Sequence, residues 1–227
     1  IKYGIRENII INEESTYLKY RLCMPGPKLT DDELKSSLDQ IIALDPRPDF
    51  VVASGSLPPG VPKDFYARVA RVAKQLGSQI IIDTQGEPFQ LALEEGLFLV
   101  KPNLRELSQL GLQSIEDEKR IEDMAEKIVS NNWSEVVVVS LGAAGALLVT
   151  KEESRYIRPP AVPIKSKVGA GDSMVAGIVL ALSQGMSIQD SAYFGVAAGT
   201  AAVMTPGTEL CRIEDTDRLF KEMKLNH

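Results

Sequence analysis

Histidine is almost absent from the chain: the only one is the last residue, His227. A Ser-His-Asp triad, a Cys-His pair and a zinc site with histidine ligands are therefore excluded. Cysteine is also rare, since only Cys23 and Cys211 are present, far apart and outside any CxxC motif. This arrangement indicates no disulfide framework, and we expect both thiols to be reduced. Any chemistry has to rely on carboxylates, lysines and backbone amides.

Basic charge is in the minority: 31 Asp and Glu residues outnumber 25 Lys and Arg residues, which gives a net charge of −6. There is no basic arm, so a nucleic-acid partner is not expected. No apolar run approaches the ~18 residues of a membrane span, and no leader segment is visible. We therefore expect a cytoplasmic protein with no membrane partner. Because the chain opens on Ile1, without a methionine, and enters alternating residues at once, we also expect it to be a fragment of a longer protein.

The chain does contain a regular alternation of short apolar strands and helices. With 227 residues, 44% of them apolar, it is long enough for a sizeable core. Runs such as DFVVAS (residues 49–54) and QIIID (79–83) alternate with helix-like segments. The pattern predicts an α/β layered sandwich, with an antiparallel edge near residues 135–159 and three closing helices. The opening segments NIIINEE and TYLKYRLCM predict a separate β-hairpin.

Ligands of such a sheet bind at the carboxyl ends of the strands. In this chain those ends carry SGSLPPG (residues 54–60), DTQGE (83–87), KPNLRE (101–106) and SLGAAG (140–145). Gly, Ser, Lys, Asn and acidic residues dominate these segments. This composition suits the recognition of phosphate and hydroxyl groups better than the binding of an apolar ligand.

The segment SKVGAGDSMVAG (residues 166–177) places one acid, Asp172, at the start of a predicted helix. Gly169, Ala170 and Gly171 let the backbone approach a ligand closely, and the free amides of the helix start offer an anion hole. Asp172 is then placed to accept the proton of an attacking hydroxyl in a phosphoryl transfer. The alternative is that Asp172 serves only as an N-cap.

Three spaced motifs resemble the PfkB family of carbohydrate kinases, whose members have the ribokinase-like fold. VGAGDSMVAG resembles the C-terminal signature of this family, KPNLREL its magnesium-associated NxxE motif, and VVVSLGAAGAL its nucleotide-contacting turn. SGSLPPGVP, IRENI, YRLCMPG and FGVAAGTAAVMTPGTELC are most similar to its 6-phosphofructokinase branch. The resemblance implies transfer of the ATP γ-phosphoryl group to the 1-hydroxyl of fructose 6-phosphate, with Mg²⁺. 1-Phosphofructokinase and tagatose-6-phosphate kinase activities remain alternatives.

The resemblance also implies roles for individual residues. It makes Asp172 the base, and it makes the amides of Gly169, Ala170 and Gly171 the anion hole. The residues expected to bind the sugar phosphate are Arg6, Arg21 and Ser56. The residues expected to contact the nucleotide are Lys101, Asn103, Ser140, Gly142, Gly145, Val196 and Thr200. Magnesium is expected at Glu106 together with Asn103.

These residues also have plainer structural explanations. Arginines on exposed strands are usually solvated charges, and an acid such as Glu106 is common in the first turn of a helix. The glycines of residues 140–145 fit a tight hairpin. The small residues around Val196 and Thr200 fit close packing of a helix against the sheet.

A potassium loop is a further implication of the resemblance. Its counterparts in this chain are Ser166, Val168, Ala202, Thr205 and Gly207. Lys167, Pro206 and Glu209 depart from the family pattern in this region.

The resemblance divides the chain into a β lid, residues 1–26, and the C-terminal part of a kinase domain, residues 27–227. Family members carry a further N-terminal portion with a sugar-binding Asp and a GG-containing loop, and nothing in residues 1–60 matches either. We expect a homodimer through the lid, because the outer faces of an isolated hairpin are too exposed to be stable alone.

Two other classes of function stay open. The unmatched N-terminal portion favours a noncatalytic module that binds nucleotide or sugar phosphate, whereas the intact GAGD and NxxE motifs favour an enzyme. A GxG before a helix also occurs in dinucleotide oxidoreductases. Here, however, the glycines come late in the chain and no acid follows a third glycine after an early strand.

Overall fold

In a computed structural model, the described residues are 4–13, 15–16, 19–111 and 118–225. Their strands are β1 (Asn8–Asn12), β2 (Lys19–Cys23), β3 (Phe50–Ser54), β4 (Gln79–Asp83), β5 (Leu97–Val100), β6 (Ser134–Ser140), β7 (Ala146–Val149) and β8 (Ser154–Ile157). Their helices are α1 (Asp31–Ile42), α2 (Phe65–Leu76), α3 (Glu87–Leu93), α4 (Leu104–Gly111), α5 (Glu118–Ser130), α6 (Ala170–Ser183), α7 (Ile188–Val203) and α8 (Ile213–Leu225). None of the helices in these ranges has both the length and the apolarity that a membrane crossing requires.

The larger sheet has six strands in the order β3-β4-β5-β6-β7-β8. Strands β3 to β6 run parallel, whereas β7 and β8 are antiparallel and close one edge. The predicted α/β class and the predicted antiparallel edge are confirmed. Because β3, β4, β5 and β6 are parallel neighbours, their carboxyl ends meet at the same edge of the sheet.

Helices cover both faces of this sheet, since its central strands are apolar on both sides. Ile82 of β4 belongs to a buried cluster with Phe89 of α3 on one face. Its neighbour Ile81 belongs to the buried cluster of the other face, together with Ile178 of α6. Alternate residues of one strand thus contribute to two cores, and the result is a three-layer α/β/α sandwich.

The two-stranded sheet is the predicted hairpin, separate from the main sheet. Its strands pair antiparallel, with Ile9 opposite Leu22 and Ile11 opposite Tyr20. These four side chains share one side of the hairpin, because residues two apart in a strand point the same way. Each is 46 to 48% exposed. This apolar surface is called the hairpin face below.

Helices α6 and α7 approach each other closely, and glycine permits this. A Cβ added at Gly177 would lie 2.8 Å from the Cβ of Ala198, and one added at Gly195 would overlap the side chain of Ile178. The glycines of GVAAGTAAV therefore allow close packing of helix on helix. The packing of helix on sheet that the sequence suggested is also present, since Val196 belongs to the buried cluster that α7 shares with strands of the main sheet.

Candidate active site

The GAGD segment forms the turn that begins α6. Gly169 has a φ of +76°, a conformation that glycine adopts without strain, and the helix starts at the next residue. Asp172 lies in the first turn, and no side chain caps the helix. The interpretation of Asp172 as an N-cap is therefore wrong. Asp172 is exposed, so its carboxylate is open to a ligand beside the amides of the first turn.

A buried ion pair lies next to this turn. Nζ of Lys101 is 3.2 Å from Oδ1 of Asp83, and the two side chains are only 5% and 14% exposed. A Cβ added at Gly171 would lie 3.5 Å from the same Nζ. Since Asp83 ends β4 and Lys101 follows β5, the pair joins two neighbouring strand ends to the start of α6. It brings a cation to the anion hole that the sequence predicted.

The negative charge around Lys101 exceeds what one lysine neutralises. Burial raises the pKa of Asp83, the ammonium group of Lys101 lowers it, and the charge of Asp172 raises it. The two carboxylates are thus within electrostatic range of each other. A further cation bound at this edge would relieve their repulsion.

The NxxE motif forms a capping box at the start of α4. The backbone N–H of Asn103 donates to Oε2 of Glu106 at 2.9 Å, and the N–H of Glu106 donates to Oδ1 of Asn103 at 2.9 Å. The structural explanation of Glu106 as a first-turn acid is therefore correct. Burial raises the pKa of Glu106, and the charge of Asp83 raises it further, against the hydrogen bond from Asn103. Glu106 is consequently also an electrostatic neighbour of the Lys101 and Asp83 pair.

The turn between β6 and β7 lies beside Asn103. The N–H of Ser140 donates to the carbonyl of Pro102 at 2.9 Å, and Ser140 forms an isolated parallel bridge with Asn103. Gly145 is required by packing, since a Cβ there would overlap the carbonyl oxygen of Ile157. Gly142 has a φ of +62° and open space around it. The tight-turn explanation thus holds for both glycines, and Gly142 leaves room for a ligand.

Two residues predicted to bind the sugar phosphate are in contact. Nη1 of Arg6 donates to Oγ of Ser56 at 2.9 Å, and Nε of Arg6 donates to the carbonyl of Met24 at 3.0 Å. The loop of Ser56 adjoins Asp83, because the N–H of Gly55 donates to the carbonyl of Asp83 at 2.9 Å. The backbone of Arg21 lies in β2 opposite Ile10, but its side chain falls outside the described part of the structure.

The five residues of the predicted potassium loop come from two adjacent segments. Ser166 is buried, and its Oγ donates to the carbonyl of Gly207 at 2.6 Å. The N–H of Val168 donates to the same Oγ at 3.3 Å. Oγ1 of Thr205, also buried, donates to the carbonyl of Ala202 at 2.7 Å. Residues 166–168 and 202–207 are therefore tied together by hydroxyl and carbonyl groups.

The two residues predicted to contact the purine, Val196 and Thr200, lie in α7 and make contacts within the protein. Val196 is only 1% exposed and belongs to the core, so it has no surface to offer a purine. Oγ1 of Thr200 donates to the carbonyl of Val196 at 2.7 Å, a bond within the helix. Val196 is better explained by packing, and the structure does not support it as a nucleotide contact.

Asp83 is the residue that the motifs missed. It opens DTQGE, one of the four strand ends that the sequence identified, but no motif distinguished it from the polar residues around it. Lys101 is the signal that could have identified Asp83. A lysine at the end of a buried strand requires a counter-ion, and an acid at the end of the neighbouring strand can supply it. Among the described residues, no three His, Cys, Asp or Glu side chains form a group that could hold a metal ion.

The sequence matches a known protein family over most of its length. A model of the pfkB family of carbohydrate kinases matches residues 4–215. The chain belongs to this family. The PfkB resemblance carried by the GAGD and NxxE motifs is thereby confirmed.

Individual PfkB relatives cover nearly all of this chain. The ATP-dependent 6-phosphofructokinase isozyme 2 of Mycobacterium tuberculosis is 41% identical over 222 residues, which are 97% of this chain and 65% of the relative. The 1-phosphofructokinase of Bacillus subtilis is 32% identical over 200 residues, 88% of this chain and 65% of the relative. The chain therefore spans about 65% of the length of these curated relatives.

A solved PfkB structure has the same fold. The crystal structure of phosphofructokinase-2 from Escherichia coli in complex with potassium matches with a TM-score of 0.90 at 37% identity. The match covers 96% of this chain and 70% of that chain. The predicted ribokinase-like sandwich is thus confirmed.

Proposed function

We propose that this PfkB protein is an ATP-dependent kinase that converts fructose 6-phosphate into fructose 1,6-bisphosphate. The observation that carries the proposal is the contact between the start of α6, which holds Asp172, and the buried pair of Lys101 and Asp83. An acid, a cation and free helix amides at one sheet edge suit phosphoryl transfer, which depends on positioning and charge neutralisation. The 41% identity to a 6-phosphofructokinase supports the choice of substrate.

In the proposed reaction, the carboxylate of Asp172 accepts the proton of the sugar 1-hydroxyl while that oxygen bonds to the γ-phosphorus of ATP. The bond between the γ-phosphorus and the bridging oxygen breaks, and ADP leaves with the electron pair. The amides of residues 169–171 and the ammonium group of Lys101 stabilise the charge on the transferring group. The proximity of Lys101 to Gly171 allows one cation to serve the anion hole.

The sugar phosphate is assigned to Arg6, Arg21 and Ser56. A guanidinium group has five N–H donors, and Arg6 uses two of its donor nitrogens in bonds to Met24 and Ser56. The remaining donors suffice for paired contacts with phosphate oxygens. Binding the 6-phosphate on the loop of Ser56 would direct the far end of the sugar towards Asp172.

Magnesium fits the acids of this edge. Mg²⁺ usually binds through one or two carboxylates together with substrate phosphates, so a group of three protein acids is not needed. We assign it to Glu106 and Asn103, with Asp83 nearby. When bound, Mg²⁺ would neutralise phosphate charge, while the capping box of Asn103 and Glu106 fixes the orientation of the carboxylate.

We also propose a potassium site between residues 166–168 and 202–207. The carbonyl of Gly207 accepts a hydroxyl hydrogen bond from Ser166, and a carbonyl has a second lone pair that a cation can use. The carbonyl of Ala202 already accepts both the hydroxyl and the N–H of Thr205, so a cation there would replace one of these bonds. The Escherichia coli relative was solved in complex with potassium, which supports this assignment despite the departures at Lys167, Pro206 and Glu209.

The remaining part of the proposal is a homodimer through the hairpin face. Its four large apolar side chains are about half exposed, and a two-stranded sheet is marginally stable on its own. A second hairpin would cover these side chains, because an isologous contact pairs the same surface of both subunits.

Steady-state kinetics with ATP, Mg²⁺ and four acceptors test the proposed function. The acceptors are fructose, fructose 1-phosphate, fructose 6-phosphate and tagatose 6-phosphate. We expect the highest kcat/KM with fructose 6-phosphate. In Arg6→Ala we expect a KM for this sugar raised by at least ~30-fold, because the guanidinium group, exposed in the structure, would form a desolvated charge pair with the bound 6-phosphate. Arg158→Ala, at an exposed arginine paired with Glu118, is the matched control.

The same assay separates the alternatives. Preference for fructose 1-phosphate or tagatose 6-phosphate would assign the corresponding kinase activity instead. Equal use of fructose and fructose 6-phosphate would contradict the role of Arg6. Binding of ATP without transfer to any acceptor would identify a noncatalytic module.

A further inference from the structure

The loop that follows β3 is held by two hydrogen bonds to the carbonyl oxygen of Gly55. The hydroxyl of Tyr66 donates to this oxygen at 2.9 Å, and Oγ1 of Thr84 donates to it at 2.7 Å. The two donors come from different elements, since Tyr66 lies in α2 and Thr84 follows β4. Tyr66 is 8% exposed and Thr84 is 6% exposed. Both lone pairs of the carbonyl are thus engaged by buried hydroxyls.

The amide side of Gly55 is fixed as well. Its N–H donates to the carbonyl of Asp83 at 2.9 Å, and its φ of +96° lies in the region that favours glycine. Burial raises the pKa of Tyr66, as does the charge of Asp83, so the Tyr66 hydroxyl stays protonated and able to donate. Gly55 itself is exposed. An exposed loop residue is therefore held in one conformation by groups from beneath it.

The orientation of Gly55 determines that of Ser56. The carbonyl of Gly55 and the N–H of Ser56 belong to one planar peptide unit, so fixing the oxygen fixes where the Ser56 side chain starts. Ser56 in turn accepts the hydrogen bond from Arg6 at 2.9 Å. The chain of contacts runs from Tyr66 and Thr84 through Gly55 and Ser56 to Arg6.

We propose that Tyr66 and Thr84 are positioning residues for the sugar-phosphate site, which hold Ser56 and, through it, Arg6 in the geometry that binds the 6-phosphate. This inference rests on the proposed function and adds two residues that contact neither substrate. Removing one hydroxyl leaves Gly55 held by the other. Each single loss therefore weakens the alignment of Ser56, and loss of both hydroxyls releases it.

The test measures kcat, KM for fructose 6-phosphate and KM for ATP in Tyr66→Phe, Thr84→Val and the double variant of the natural protein. A lost hydrogen bond of this kind corresponds to about a 3- to 10-fold effect. We expect each single variant to raise KM for fructose 6-phosphate by that factor and the double variant by at least ~30-fold. KM for ATP should stay within about twofold, and Thr84→Ser, which keeps the hydroxyl, should behave as the unchanged protein.

Two comparisons distinguish positioning from a general structural effect. Tyr156→Phe removes another tyrosine hydroxyl bonded to a carbonyl, that of Glu118 at 3.0 Å, and should leave KM for fructose 6-phosphate unchanged. In a Ser56→Ala background, Tyr66→Phe should have almost no further effect on this KM, because it acts through Ser56. If Tyr66→Phe folds poorly, Thr84→Val with its Thr84→Ser control carries the same comparison.

Three results would overturn the inference. The first is a Tyr66→Phe variant whose KM for fructose 6-phosphate equals that of Tyr156→Phe. The second is a Tyr66→Phe variant whose KM for ATP rises as much as its KM for fructose 6-phosphate. The third is a Tyr66→Phe change that raises KM for fructose 6-phosphate by the same factor with Ser56→Ala as without it. In each case the unchanged protein still phosphorylates fructose 6-phosphate, so the proposed function survives. An unchanged protein that neither binds nor phosphorylates fructose 6-phosphate would overturn both.

Discussion

Glu106 has a structural role that is visible and a chemical role that is proposed, and two substitutions separate them. Its carboxylate accepts the N–H of Asn103 and completes the capping box of α4. Glu106→Gln keeps an oxygen for this hydrogen bond but removes the negative charge, whereas Glu106→Ala removes both. If Glu106 holds magnesium, the two variants should share a defect in magnesium dependence and differ in stability.

The expected change in stability follows from the cap. Loss of a cap hydrogen bond costs about 1 kcal/mol, so Glu106→Ala should lower the free energy of unfolding by that amount. Burial raises the pKa of Glu106 in the folded protein. A carboxyl group with a raised pKa stabilises the folded state below its ordinary pKa and loses that contribution as pH rises through the raised value. At pH 7 the charge therefore adds no stability, and Glu106→Gln should cost less than about 0.5 kcal/mol.

The expected change in magnesium dependence is larger. Loss of a group that supports a metal site typically costs 10- to 100-fold in metal affinity, so both variants should need at least ~10-fold more Mg²⁺ for half-maximal activity. Urea denaturation and a magnesium titration at saturating fructose 6-phosphate measure the two effects. An unchanged magnesium titration in Glu106→Gln would refute the metal role and leave Glu106 as a cap.

Three further predictions concern other parts of the molecule. Lowering the pH from 7 should raise the Mg²⁺ requirement before an ordinary glutamate would protonate, because burial raises the pKa of Glu106; a requirement constant down to pH 5 would contradict this. Gly145→Ala should lower the free energy of unfolding by about 3 kcal/mol or more, since its Cβ would overlap the Ile157 carbonyl. Gly142→Ala, which has open space around it, should lower it by about 1 kcal/mol. Equal unfolding midpoints of the two variants in urea would contradict the packing argument. Ile9→Arg, in the middle of the hairpin face, should shift the sedimentation coefficient from dimer to monomer; an unchanged dimer would exclude this face as the interface.

Local signals in the sequence were sufficient for most of the fold. The Thr30 to Glu33 pattern predicts a helix start, and both bonds of its capping box are present. The alternation of apolar strands with helices likewise predicts the α/β class and the antiparallel edge, both of which are present. These features depend on neighbours in the chain, and periodicity reports such neighbours well.

Contacts between residues that are distant in the sequence could not be predicted from it. The ion pair of Asp83 and Lys101 joins two strand ends, and neither sequence segment indicates which residue of the other segment its charged side chain pairs with. The packing of Gly195 on α6 looks the same in sequence as a cleft for a purine, because both need small side chains. The hydrogen bonds from Tyr66 and Thr84 to Gly55 form only because a helix and the end of a strand meet below one loop. Tertiary geometry, rather than local pattern, determines all three.

The role of Asp172 as the base is tested by Asp172→Asn in an assay that measures ATP binding and phosphoryl transfer on the same preparation. Asp190→Asn is the matched control, because Asp190 is also a first-turn acid, in α7, and pairs with Lys224. We predict that Asp172→Asn binds ATP as the unchanged protein does but transfers phosphoryl groups to fructose 6-phosphate at least ~100-fold more slowly. A rate within a few-fold of the Asp190→Asn control would contradict the assignment.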